Sequence, residues 1–346
     1  MPESVFYDPV PATPHLASNS AAILAYYAAN WGWNYTGTPT WDKGVQLWPD
    51  VVPDPAEQVA DGDMASVYFA KVSDPVFTVK CFESWCANGG EPIDGTQIHI
   101  PEGARWQFYP DCADAGAGQM TRGSCGDDHF EVVSPDGTTE YDLYEAFGCF
   151  TNGSTCLVGS GGIVAYATST GFSTQGGANA TDWVPTQGLV LPSEILAGVI
   201  PHALALILNC SDGTSVAPAT ANAAGDACSD TTNALSEGQR IFLTATDAQI
   251  ESWGSSGVTA AGQIVLEALA HYGGYYVDNL GYGGFIMETL NQWSYQPPGT
   301  LTDDWPAVAA KYSLSKTGYA GSYDLGVENV PGGITSWLAV CDKSGC

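Results

Sequence analysis

The chain has 346 residues and sets 38 Asp and Glu against 9 Lys and Arg, a formal net charge of −29. That balance excludes nucleic-acid binding, which needs clustered cations to neutralise phosphate, and it disfavours an anionic membrane surface for the same reason. A strongly anionic polysaccharide would also be repelled unless calcium bridged it, so neutral glycans or small neutral molecules fit best.

Taken in chain order, the pattern is mostly β with a few helical interruptions. No positively charged, apolar leader opens the chain, so it reads as beginning after a removed signal peptide, with Met1 added. Residues 20–31 have helical periodicity, with Ser and Asn before them and Gly32 after. Trp31, Trp33, Trp41 and Trp48 follow among Gly, Pro, Asn and Thr. Most of the eleven Trp suit the edge of a core, and two or three in a groove would suffice to stack on sugar faces. Strands are predicted at 65–71, 76–81, 97–100 and 105–109, then a hairpin over 129–145, a strand at 156–167 and a polar loop at 169–181. Residues 202–208 are apolar on both faces, as a central strand covered on both sides would be. A long surface loop is expected over 211–237. Thr259 caps a helix over 260–272 that stops at Gly273, and β character returns at 274–279 and 284–288. Many short strands separated by turn signals predict an all-β fold, a jelly-roll-like β-sandwich with a few short peripheral helices. No repeat or linker divides the chain, so residues 1–346 are read as one domain.

The hairpin carries the strongest chemical signal. Two alternating runs flank Ser134-Pro-Asp-Gly-Thr-Thr139. If Asp136-Gly137 form the turn, Glu131 opposes Asp142, Val133 opposes Glu140 and His129 opposes Tyr144. Strand alternation then puts His129, Glu131, Glu140, Asp142 and Tyr144 on one face and Phe130, Val132, Tyr141 and Leu143 on the other. Opposed carboxylates destabilise each other unless a proton, a metal or a substrate intervenes. That cost makes this face the candidate catalytic site, because mutual repulsion can divide Glu131 and Asp142 into acid and base. Glycoside hydrolysis needs such a pair. The plain alternative is a solvated face of an antiparallel sheet. His202 begins the apolar strand and reads first as a core residue, second as a group at a pocket mouth near Glu194.

Ten cysteines fall into five sequence neighbours: Cys81/Cys86, Cys112/Cys125, Cys149/Cys156, Cys210/Cys228 and Cys341/Cys346. Short, even spacing in Gly/Asp/Ser-rich loops predicts local disulfides in an oxidising compartment, and no paired C-x2-C knuckle suggests zinc. Asn34, Asn152, Asn179 and Asn209 lie in N-x-S/T sequons. No cofactor is required. Structural calcium could be held near Asp111–Asp114 or Asp226–Asp230, and a metal centre from His129, His202 and Asp142 is conceivable but not demanded by spacing. No apolar run approaches a membrane span. A secreted monomer is expected.

Two resemblances add to this reading. Glu140-Tyr-Asp142-Leu-Tyr-Glu145 resembles the E-x-D-x-x-E signature of jelly-roll β-glucanases over six residues. It implies Glu140 as nucleophile, Asp142 as its orienter and Glu145 as acid, provided a bulge brings Glu145 to the same face. More broadly, the chain is similar to a group of secreted, mainly bacterial proteins with no established reaction. Asp127-Asp-His129 with Tyr141-Asp-Leu-Tyr144 resembles its D-x-H and Y-E-L-Y elements, and Val158-Gly-Ser-Gly-Gly-Ile163 its A-G-S-G-A-I. Gly188–Ile195 resembles G-L-V-R-x-x-E-[IV], Gly198–Leu204 resembles G-x-I-x-H-A-L, and Tyr272–Asn279 matches Y-G-x-x-x-x-D-N. The chain departs at Asp142, where the group has Glu, and at Leu191, where it has Arg.

The leading functional expectation is therefore a secreted glycoside hydrolase of a neutral polysaccharide, using the hairpin carboxylates with His129, His202 or Tyr144 assisting. A non-catalytic carbohydrate-binding or cell-surface protein is the alternative. A polysaccharide lyase with Tyr144 or a histidine as base comes third, because a uronate must be neutralised and Arg105, Arg122 and Arg240 are the only arginines available.

Overall fold

The computed structural model describes residues 4–30, 48–49, 67–87, 91–101, 130–146, 153–165, 168–208, 210–222, 227–279, 286–287, 305–315 and 323–346. In chain order the main elements are α1 (Ser20–Asn30), β1 (Trp48–Pro49), β2 (Val67–Phe69), β3 (Val76–Cys81), α2 (Ser84–Ala87), β4 (Gln97–His99), β5 (Phe130–Val133), β6 (Thr139–Tyr144), β7 (Thr155–Val158) and β8 (Ser160–Ala165). There follow α3 (Pro192–Ala197), β9 (Leu204–Leu208), β10 (Arg240–Leu243), α4 (Asp247–Ser252), α5 (Ala260–His271), β11 (Gly274–Asn279), β12 (Ile286–Met287), α6 (Trp305–Tyr312) and β13 (Leu338–Val340).

The strands form three mixed sheets: β1-β12-β9-β11-β10-β13, β2-β5-β6-β8 and β4-β3-β7. This overturns the expected all-β jelly roll. Pairs β9·β11, β1·β12, β2·β5 and β3·β7 are parallel, whereas a jelly roll is built from antiparallel Greek keys. Parallel neighbours need long crossovers, and the chain supplies one between β9 and β11 that includes α4 and α5. The helices are structural layers rather than trimmings.

Local sequence accounts for the anchoring elements. β9 reads Leu-Ala-Leu-Ile-Leu, is buried throughout, and pairs on both edges, with β11 and β12. One of its faces, Leu204, Leu206 and Leu208, packs with Ile23 and Leu24 of α1 and Ile264, Val265 and Leu269 of α5. Its other face, Ala205 and Ile207, joins Val277 of β11 and reaches Val67 and Val133 of the four-stranded sheet. That sheet is covered in turn: Tyr68, Val132 and Leu143 pack with Phe77, Val79, Ile98 and Val158 of the three-stranded sheet. Among the described residues, Glu131, Val132, Val133, Glu140, Asp142 and Leu143 of the hairpin are buried, so both faces of the sheet are covered there. The α5 boundary is set chemically, since Thr259 accepts the Gly262 N–H as N-cap and Gly273 follows at φ 69°.

Three disulfides, Cys81–Cys86, Cys210–Cys228 and Cys341–Cys346, match the neighbour pairing. Such staples belong to an oxidising, extracellular-type environment. Cys156 is also disulfide-bonded; Cys112, Cys125 and Cys149 lie outside the described residues, as does the strand expected at 105–109. No described helix is long and apolar enough to cross a membrane. Because Leu206 is 1% exposed at the centre of the largest core, Leu206→Ala should cost about 2–5 kcal/mol. Urea denaturation would show it as a lowered midpoint at unchanged slope.

Candidate functional site

The hairpin folds in the anticipated register. Glu131 faces Asp142, Val132 faces Tyr141 and Val133 faces Glu140. Its loop is wider than Asp136-Gly137 alone: Ser134 N–H donates to the Thr139 carbonyl at 2.7 Å, and Gly137 N–H donates to the Ser134 carbonyl at 2.8 Å. Gly137 takes φ 70°, which favours glycine, while Asp136 Oδ1 accepts from Ser134 Oγ, Thr138 N and Thr138 Oγ1. Those hydrogen bonds hold the exposed Asp136 below the ordinary carboxylate range.

The surroundings of the carboxylates differ from an open sheet face. Glu131, Glu140 and Asp142 are each 0% exposed. Beside β6, Asp142 is opposite Gly162 of β8. A Cβ at Gly162 would collide with the Gly176 carbonyl, so the absent side chain lets the 168–187 segment lie directly on the sheet. That segment is itself well packed. Phe172, Trp183 and Val184 are buried, and Asn179 Oδ1 accepts from Trp183 N at 2.7 Å while its Nδ2 donates to the Trp183 carbonyl. The sequon at Asn179 is therefore committed to holding a turn. From the same segment Thr186 donates through both N and Oγ1 to Glu140.

The acids differ in their hydrogen bonding: Glu140 accepts two donors from Thr186. Asp142 is pushed well above its ordinary value of 3.8, first by burial and then by the charges of Glu140 and Glu131. Apart from the Glu140 carboxyl, its oxygens meet no hydrogen-bond partner among the described residues. Asp182, in the covering segment at φ 58°, adds a further negative charge toward Asp142. Burial raises Asp182 itself to about 6, opposed by a hydrogen bond from Thr220 and aided by Glu91. Glu91 is engaged in turn by Ser160 Oγ at 2.7 Å and Gly161 N at 2.7 Å. No described group of three His, Cys, Asp or Glu is placed to hold a metal ion.

The other sequence candidates separate from this cluster. Tyr144 ends β6, half-buried and opposite Ser160. His129 lies outside the described residues. Glu145 leaves the strand at φ 49° and lies against Gly159. His202 belongs to a second site. Its Nε2 meets Glu194 Oε1 at 3.1 Å and its Nδ1 meets the Ala203 carbonyl at 2.8 Å. Both ring nitrogens thus face oxygen acceptors. Glu194 also accepts the Leu191 N–H at 2.9 Å, starting α3, and Tyr7 packs edge-on against His202. Asp278 accepts from Ala180 N at 3.0 Å and Asn279 N at 2.9 Å, while Asn279 Nδ2 donates to Glu237. It ties the covering segment to β11 instead of lining a groove. Asp230 caps a short helical turn through Thr232 and Asn233; Asp111, Asp114 and Asp226 lie outside the described residues. Sequence reasoning missed Asp182, Glu91 and Thr186, which nothing in the hairpin pattern could have brought to it.

No family model, curated protein or solved structure matches the chain, so the chemistry of these residues has to carry the functional reading. For the His202–Glu194 pair, removal of the imidazole in His202→Ala should cost about 3 kcal/mol, because a largely buried carboxylate loses its partner. Equilibrium unfolding checks this, and a loss near zero would contradict a structural pair.

Proposed function

We propose that this is a secreted, non-catalytic carbohydrate-binding or cell-surface protein whose partner is a neutral glycan. The observation that carries the reading is the closure of the hairpin: its three carboxyls are fully buried beneath a packed segment. Acids in that position act on the fold, not on a substrate in a groove. Support for an uncharged partner comes from the net charge of −29, which repels polyanions. Support for the extracellular setting comes from the three disulfides.

A second reading, hydrolysis of a neutral polysaccharide, is favoured by one specific feature. Asp142 is held toward its protonated form while Glu140 accepts two donors, the division of labour that acid–base glycosidases use. It requires the 168–187 segment to move aside. A lyase has less support, because the guanidinium of Arg240 is committed to the Tyr272 and Asp8 carbonyls.

Incubation with a panel of neutral glycans at acidic and neutral pH distinguishes these readings. Saturable binding without release of reducing ends, unchanged in Asp142→Asn, is the expected result. Release of reducing ends that disappears in Asp142→Asn would overturn it in favour of hydrolysis, and ultraviolet-absorbing unsaturated products would indicate a lyase.

A further inference from the structure

We propose that the carboxyl cluster around Asp142 is a proton lock on the seam between the four- and six-stranded sheets, closing the 168–187 segment in acid and loosening it as pH rises. Glu131 and Asp142 are cross-strand partners and Glu140 lies two residues along the same face, so three acids share one buried patch. Directly opposed like charges destabilise a sheet unless one is neutralised.

The groups packed against Asp142 are acidic on every side that the structure describes. Its own strand contributes Glu140, and β5 contributes Glu131. From β8 the facing residue is Gly162, which has no side chain. The covering segment brings Asp182, itself pressed by Glu91 from the turn before β4. Beyond that segment, β11 supplies Asp278, which grips Ala180. The charges that act most on Asp142 are all negative, and protonation is the route to neutrality that this composition offers.

The sign follows from linkage. Burial and neighbouring anions raise Asp142 and Asp182 above the ordinary 3.8, Asp182 to about 6. A carboxyl raised on folding contributes stability that is complete below its unfolded value and is lost as pH climbs through its folded value. For Asp182 that loss runs from 3.8 to about 6, and for Asp142 it extends upward from 3.8. The strain falls on the segment these acids share. Thr186 attaches it to the hairpin and Ala180 attaches it to β11, while Asp182 sets a like charge against Asp142, so it is the element whose closure depends on their charge. The lock stands whether or not the protein binds glycans.

The test combines thermal unfolding with hydrogen exchange of peptides spanning 168–187, from about pH 4 to about pH 8, in the full chain with EDTA. The wild type should lose at least about tenfold protection in this segment across that range, after correction for intrinsic exchange, and its Tm should fall. Asp142→Asn should keep the segment protected at the upper end and melt above the wild type there. Glu251→Gln, which removes an exposed carboxyl on α4, should follow the wild type and so separate the lock from general charge repulsion. Should Asp142→Asn not fold, Glu131→Gln, which removes the charge directly opposite Asp142 and should likewise keep the segment protected at the upper end, and the wild-type exchange profile serve instead. Unchanged protection in the wild type overturns the proposal. So does an Asp142→Asn profile that tracks the wild type, or recovery of wild-type protection at about pH 8 by calcium in place of EDTA, which would make the neutralising partner a cation.

Discussion

Confining three carboxyls to the dry side of one hairpin is the constraint on which much of this architecture turns. A hairpin with a polar face normally leaves that face in water. Here the face with Glu131, Glu140 and Asp142 is turned inward, and the chain must compensate. It does so with Gly162, which admits the 168–187 backbone, with two hydrogen bonds from Thr186, and with protons retained on the acids least able to ionise. The four-stranded sheet can then sit between two others, its second face packed on the three-stranded sheet through Val132 and Leu143.

Much of the local structure was legible in the residues. The helices at 20–31 and 260–272 and the strands at 76–81 and 274–279 fall within a residue of their predicted ends. The hairpin register was correct because apolar alternation and turn chemistry agree there. The architecture was not legible, and the reason is specific. Residues 202–208 read as a central strand covered on both sides, which is the mark of a parallel arrangement, yet the many short strands nearby suggested a sandwich. The short helices α3, α4 and α6 also escaped notice, since few turns of periodicity separate them from loops.

The site was legible in part. Which residues share the hairpin face follows from strand alternation, but whether that face meets water depends on contacts across tens of residues, and alternation says nothing about them. The two similar-looking elements around Glu194 and His202 gain a physical meaning instead: they are two halves of one buried pair that joins the start of α3 to the approach of β9. Likewise Asp278-Asn279 fastens loops to the central sheet. These elements lie apart in the sequence, yet each makes hydrogen bonds between separate parts of the scaffold.

The closed seam depends on the protonation state of Asp142, and carbon-13 NMR can read it directly. With aspartate carboxyls labelled, subtraction of the Asp142→Asn spectrum assigns the resonance, and titration follows it. The expected result is the shift of a protonated carboxyl persisting well above the ordinary aspartate value of 3.8, while exposed aspartates such as Asp136 ionise at or below it. An Asp142 resonance that titrates together with the exposed aspartates would contradict it.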